Sequence, residues 1–171
     1  MVKERGGKAF LTDCNTLYVG GRKNALDHMD SAYENGFNPF QTGCHIIIAD
    51  GLKGNNEAEV PVEGGEFVEK AKIGRAIMDA DVFITLTHFK GHTMGGFGGS
   101  NKNIGIGCAD GRVGKGMIHT VPGDPNLWSI AQEELMERMT ESTKSVFDRF
   151  GRHICYINVL RNMSVSCDCE G

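Results

Sequence analysis

Three short apolar runs constrain this chain more than any other feature. Cys44-His45-Ile46-Ile47-Ile48-Ala49-Asp50-Gly51, Val82-Phe83-Ile84-Thr85-Leu86-Thr87-His88 and His153-Ile154-Cys155-Tyr156-Ile157-Asn158-Val159-Leu160 are strand-length and rich in β-branched residues. Between them lie stretches with helical spacing. Leu26, Met29 and Tyr33 form one stripe that stops at Gly36, and Arg75 to Ala80 reads as a short helix. A longer helix opens at Asp124-Pro125, carries Trp128, Leu135, Met139, Val146 and Phe150 on one stripe, and ends at Gly151. Lys8 to Asp13 reads as a further strand, and Glu66 to Ile73 alternates as another. Continuous apolar strands separated by helices predict an α/β fold. The expected form is a mostly parallel sheet with strands buried on both faces, flanked by helices in a Rossmann-like three-layer arrangement.

A length of 171 residues predicts a single α/β domain over 1–171. Lys3-Glu4-Arg5 before Gly6-Gly7 reads as the last turn of a helix that is mostly absent, and the chain stops just after Cys169. The domain is therefore expected to be truncated at both ends, and apolar sheet edges left open predict self-association into a homo-oligomer.

A composition that is 40% apolar and 23% charged can bury a core, which excludes a disordered segment. The formal charge of −4 lacks the basic excess that phosphate contacts need, so no nucleic-acid partner is expected. No apolar run approaches the roughly 20 residues that span a bilayer, and Met1-Val2-Lys3-Glu4 opens no signal peptide, so no membrane association is expected. The six cysteines of such an unsignalled chain read as reduced thiols in a cytoplasmic protein. Cys14, Cys44 and Cys155 sit in or beside apolar runs as small hydrophobes, whereas Cys108, Cys167 and Cys169 lie among glycines and polar residues.

Ligands of open α/β sheets sit past the carboxyl ends of the strands. Asp13, Asp50, His88-Phe89-Lys90-Gly91-His92 and the Ser164 to Cys169 tail occupy those positions, and a glycine-rich stretch follows the His88–His92 segment. Ten of the 24 glycines fall between Gly91 and Gly116, a density that lets backbone N–H groups approach an anion. Lys90, Lys102, Arg112 and Lys115 add charge. A nucleotide site is not indicated, because Ala109 and Gly116 break the phosphate-loop pattern and no G-x-G-x-x-G occurs. His88 and His92 are candidate acid–base residues, with Asp13 to orient the ring. The Cys167-Asp168-Cys169 doublet invites a soft metal, and with Cys108 it makes three sulfur ligands for zinc or an iron–sulfur cluster, with Lys102 or Lys115 favouring the thiolates.

Phe10-Leu11-Thr12-Asp13, Asn15-Thr16-Leu17-Tyr18, His88-Phe89-Lys90-Gly91-His92, Gly95-Gly96-Phe97-Gly98-Gly99 with Lys102-Asn103-Ile104-Gly105, and Cys167-Asp168-Cys169 together resemble the family called domain of unknown function 362. Many members carry iron–sulfur-centre or ferredoxin-like labels, which implies a cluster. Many relatives place paired ferredoxin cysteine motifs between the positions of His119 and Leu127; this chain has none, so a cluster here would rest on Cys108, Cys167 and Cys169. The family is also similar in fold to the amino-terminal domain of nickel-pincer lactate racemases, which implies a scaffold for a small acid or a metal cofactor.

Three readings follow. The first is an iron–sulfur or divalent-metal protein, with zinc as the alternative ion, held by Cys108, Cys167 and Cys169 with His88 or His92 as a fourth ligand, in a redox or Lewis-acid role with an electron-transfer partner. A second is a metal-free module that binds a small anionic ligand through Lys90, Lys102, Lys115, Asn103, Gly98 and Gly99, with Cys108 merely packed. A third is an acid–base enzyme, of racemase or isomerase type, using His88, His92 and Asp13 on a small carboxylic acid.

Overall fold

A computed structural model describes residues 2–124, 126 and 129–163. The fold is mixed α/β. In chain order its elements are β1 (Phe10–Asp13), α1 (Ala25–Glu34), α2 (Pro39–Thr42), β2 (His45–Ile48), β3 (Glu57–Pro61), β4 (Lys70–Gly74), α3 (Arg75–Met78), β5 (Phe83–His88), β6 (Lys90–His92), β7 (Gly96–Gly98), α4 (Ser100–Gly105), α5 (Gly114–His119), α6 (Gln132–Phe150) and β8 (Ile154–Val159). Among the described residues, no helix is long and apolar enough to cross a membrane.

The expected single, mostly parallel sheet with three layers is not what the described residues form. They make four two-stranded ladders. β1 pairs with β2 and β5 with β8 in parallel, whereas β3–β4 and β6–β7 are antiparallel. The apolar runs mislead because they are not buried on both faces. β5 turns Thr85 and Thr87 inward while Leu86 stays 67% exposed, and in β2 only Ile48 is buried. Periodicity cannot separate a strand buried on two faces from one whose outer face also happens to be apolar.

The β3–β4 hairpin comes from sequence that looks polar. Ala58, Ala71 and Ile73 point into the core, while Glu59 faces Lys70 at 3.5 Å and Lys72 across the outer face. The strand expected over Glu66 to Ile73 starts late, at Lys70, for a definable reason. The amides of Glu66, Phe67 and Val68 donate to the Glu141 carboxylate at 2.7, 3.0 and 2.7 Å, so that segment spends its backbone donors on α6 rather than on a neighbouring strand.

In α1, the Asn24 side chain accepts from the Leu26 and Asp27 amides and caps the helix. Its buried face is Ala25 and His28, not the expected Leu26–Met29–Tyr33 stripe, since Leu26 is 59% exposed and Tyr33 43%. The long helix also begins later than its Asp124-Pro125 signal, at Gln132. The Asp124 carboxylate instead accepts the Asn126 amide at 2.8 Å, and Trp128 lies outside the described residues. The rest of the stripe behaves as read. Leu135, Met139, Val146 and Phe150 are buried, and Phe150 stacks on Phe83 of β5 at 5.5 Å.

α4 packs on α6 closely enough that Gly105 is a requirement. A Cβ there would fall well under 3.0 Å from the Met139 carbonyl oxygen, and Ser142 Oγ donates to the Gly105 carbonyl at 2.9 Å. Gly105 therefore serves packing, whereas Gly98 and Gly99 border the cleft described next.

Candidate functional site

The chain leaves β5 at His88, passes Phe89 and enters the short hairpin β6–β7, whose register pairs Lys90 with Gly98, Gly91 with Phe97, and His92 with Gly96. Alternation along a strand sorts these residues onto two faces. Phe97 stacks on Phe89 at 5.3 Å on one side and anchors the hairpin. Lys90 and His92 share the other side, opposite two glycines. Immediately after the hairpin, α4 brings in Lys102. A Cβ built on Gly98 would lie 3.5 Å from Lys90 Cγ and 3.9 Å from Lys102 Cδ, so both lysine stems converge over this glycine. A cleft of about 260 Å³ opens there, bounded by Leu86–His88, Lys90, Gly98–Gly99 and Lys102–Asn103. The structure thus gathers His88, Lys90, Gly98, Gly99, Lys102 and Asn103 around one opening. Leu86 and Thr87 join them; period-two alternation through β5 is the signal that puts Leu86 beside His88.

Asn103 lines the cleft with its amide hydrogens already used. Its Nδ2 donates to Thr85 Oγ1 at 3.1 Å and to Thr87 Oγ1 at 2.8 Å. The Ser100 amide and hydroxyl both donate to Asn158 Oδ1, at 3.0 and 3.1 Å. These bonds fasten α4 to β5 and β8 and so set the position from which Lys102 reaches the cleft.

The histidines are defined by their hydrogen bonds. His92 Nδ1 accepts the amides of Met94 at 3.2 Å and Gly95 at 3.0 Å, so the neutral ring carries its proton on Nε2. Burial, then the nearby Lys102, Lys90 and His119, push His92 down to about 4, which leaves it neutral at pH 7. His119, which no sequence signal marks, donates Nδ1–H to the Lys115 carbonyl at 2.8 Å, and burial holds it below its usual range as well. His88 Nε2 lies 2.7 Å from the Arg161 carbonyl, an acceptor only, so Nε2 is protonated and the basic nitrogen of the neutral ring is Nδ1.

Asp13 pairs with His28 rather than with His88 or His92. His28 Nε2 lies 3.5 Å from Asp13 Oδ2, and Asp13 Oδ1 accepts the Cys14 amide at 2.8 Å. Asp50, past the end of β2, is a structural knot. Fully buried, it accepts the Asn15 amide at 3.0 Å, the Asn15 side chain at 2.9 Å and the Gly111 amide at 2.8 Å. Burial raises its pKa, and the Asn15 and Gly111 amides and then Lys115 oppose that rise. Lys115 is itself buried, donating Nζ–H to the Asn15 and Ala109 carbonyls at 2.6 and 2.9 Å, which takes it away from the cleft.

Of the expected metal ligands, Cys167 and Cys169 lie outside the described residues. Cys108 is 5% exposed within the apolar core cluster that includes Cys14, Ile73 and Ile104. Burial and then Asp13 push its thiol up to about 12 against the opposing pull of Lys115. The expected lysine activation is thus outweighed by desolvation, and Cys108 sits as a packed, protonated thiol, surroundings that do not fit a metal ligand. Among the described residues, no three His, Cys, Asp or Glu side chains are grouped to hold a metal ion.

The family model described as Domain of unknown function (DUF362) matches residues 1–171. No curated protein and no solved structure matches the chain.

Proposed function

The chain belongs to the domain of unknown function 362 family, and from that premise we propose that its cleft binds a small anionic molecule. The observation that carries this reading is the convergence of Lys90 and Lys102 over Gly98, where the missing side chain leaves room between two ammonium-bearing stems. The volume of about 260 Å³ equals roughly nine waters of liquid, which suits a compact acid or phosphate. His92, its Nδ1 occupied by two amides, is no general base in this reading and is not among the residues that bound the cleft. Leu86 gives the cleft one apolar edge. The acid–base and iron–sulfur readings draw less support. Asp13 orients His28, and Cys108 is packed away from solvent.

Titration of the full chain with inorganic phosphate, followed by amide NMR shifts, tests the proposal. The largest shifts are expected at Lys90, Gly98, Gly99 and Lys102. Lys90→Gln and Lys102→Gln are each expected to weaken binding about five- to tenfold, equivalent to about 1 kcal/mol for one partly solvated charge. Shifts centred elsewhere, or a double variant that binds phosphate as the parent does, overturn the reading.

A further inference from the structure

The strand β8 has the composition of a central strand and stands at an edge. Among the described residues its one neighbour in the sheet is β5, in an unbroken parallel register. Past Ile154 every β8 side chain is exposed, on both faces. Cys155, Ile157 and Val159 share the outer face with Ile84 and Leu86, and Tyr156 and Asn158 lie on the face that meets α4. The Phe89 amide donates to the Val159 carbonyl at 3.0 Å, which fixes the phase of the main chain. A strand residue turns its N–H and C=O to the same side, and its neighbours turn theirs to the other. Cys155, Ile157 and Val159 therefore bond to β5, while the main-chain groups of Tyr156 and Asn158 point away from it, with Ile154 and Leu160 in the same phase. Among the described residues the outward groups of Tyr156 and Asn158 have no hydrogen-bond partner. Exposed edges are ordinarily guarded by a charge, a proline or a bulge. Between His153 and Arg161 this chain has no charged residue, proline or glycine.

We propose that β8 pairs with β8 of a second copy of the chain, antiparallel about a two-fold axis at Ile157, to give a closed dimer with one continuous sheet. The phase of the outward groups and the charges at the strand ends select this register. It sets Tyr156 opposite the second copy's Asn158, the two exchanging both main-chain bonds, and Ile154 opposite Leu160 in the same way. On the outer face the two Ile157 side chains meet at the axis and Cys155 meets Val159, so every cross-strand pair is uncharged. The arginines at the strand ends do not oppose each other, because Arg161 falls opposite His153 and Arg152 opposite Asn162. Moving the axis to Tyr156 or Asn158 keeps the phase but sets an arginine against Leu160 or Cys155. Pairing over this length covers on the order of 400 Å² on each copy, the lower end of specific interfaces, so the Kd of the dimer is expected on the order of 10–100 µM. The pairing uses none of the residues around the anion cleft, and it assigns the self-association expected from open sheet edges to one strand.

Sedimentation velocity of the full chain from about 5 to about 500 µM, with amide hydrogen exchange by NMR on the same samples, tests the pairing. A monomer–dimer equilibrium is expected. Exchange at the Tyr156 and Asn158 amides is expected to slow as the dimer fills, while the Cys155 and Ile157 amides, already bonded to β5, change little. Ile157→Lys sets two ammonium groups against each other at the axis and is expected to weaken the dimer at least about tenfold, with the circular dichroism spectrum unchanged. Ile84→Lys, on the same face but one strand in from the edge, is expected to leave the dimer intact. A monomer at every concentration, assemblies larger than a dimer, or a dimer indifferent to Ile157→Lys overturns the pairing. Dissociation by Ile84→Lys to the same extent shows stacking of the outer faces instead and also overturns it. Exchange at Tyr156 and Asn158 that ignores concentration overturns it without recourse to any variant.

Discussion

Two glycines in short helices, Gly105 of α4 and Gly116 of α5, should respond to alanine with opposite signs. Helix propensity alone favours alanine at both, by about 0.8–1 kcal/mol. Around Gly116 an added Cβ meets nothing within 4 Å, so this gain survives and Gly116→Ala is expected to stabilise by about 0.5–1 kcal/mol. At Gly105 the new Cβ would press into the Met139 carbonyl, with Thr143 Oγ1 at 2.7 Å behind it. A backbone oxygen of a long helix cannot swing aside, so α4 and α6 must part by on the order of 1 Å to reach ordinary contact. That movement breaks the bonds from Ser142 Oγ to the Gly105 carbonyl at 2.9 Å and from Thr143 Oγ1 to the Asn101 carbonyl at 2.8 Å, costing about 1 kcal/mol each. It also strains the packing of the fully buried Ile104, by about 1–3 kcal/mol. Steric cost outweighs propensity, and Gly105→Ala is expected to lose about 2–4 kcal/mol net. Urea unfolding followed by circular dichroism reads both variants on one scale, as shifts in midpoint at constant slope. A Gly105→Ala protein within 0.5 kcal/mol of the parent, or a Gly116→Ala protein less stable by more than 1 kcal/mol, refutes the argument.

Asp50→Asn should destabilise by about 2–4 kcal/mol. Whichever oxygen becomes the amide then faces an N–H of Gly111 or of Asn15, leaving a buried donor against a donor. A urea-derived loss below about 1 kcal/mol would show that the knot tolerates the amide. His92 predicts a pH effect of definite sign. Its folded pKa of about 4 lies below the ordinary 6.5, so on acidification the unfolded chain takes the proton first. Stability should fall from pH 6.5 towards 4 and level off below. The gap is worth about 3 kcal/mol unscreened, reduced to about 1 kcal/mol for this partly exposed ring. His119, also depressed, adds in the same direction. The difference between the parent and His92→Gln across pH 4.5 to 7 isolates the His92 share, and parallel curves would refute it.

Where a segment's burial follows from its own spacing, the sequence is legible. Leu135, Met139, Val146 and Phe150 recur on one helical face, and that face is buried. The stripe of Leu26, Met29 and Tyr33 has the same form, yet α1 turns Ala25 and His28 inward. Its orientation is decided by partners remote in sequence, namely Asp13 beside His28 and the Leu52 carbonyl that accepts the Ala25 amide at 3.0 Å. β3 is illegible for the converse reason. Glu57, Glu59 and Pro61 depress its strand propensity, and only pairing with β4 sets Ala58 in the core and offsets the charge of Glu59 with Lys70 and Lys72.

At the cleft, which residues gather is partly legible in the sequence, and how each is hydrogen-bonded is not. Lys90 and Lys102 flank glycines in the sequence and do so in space. His92 is distinguished from a general base by two backbone amides, two and three residues along the chain, and composition holds no trace of them. Cys108 shows the limit most clearly. Glycines at 105, 107 and 111 make its neighbourhood look open and ligand-facing, yet small residues also let main chains approach. Gly105 lies against α6, and a Cβ on Gly111 would come within 2.6 Å of the Asn15 carbonyl. Those approaches draw the core in around Cys108 and close it from solvent, which raises its thiol instead of activating it. Within one glycine-rich stretch, then, Gly98 borders a cleft because its neighbours are long cations, whereas Gly105 and Gly111 leave no space because theirs are the main chain of α6 and of Asn15.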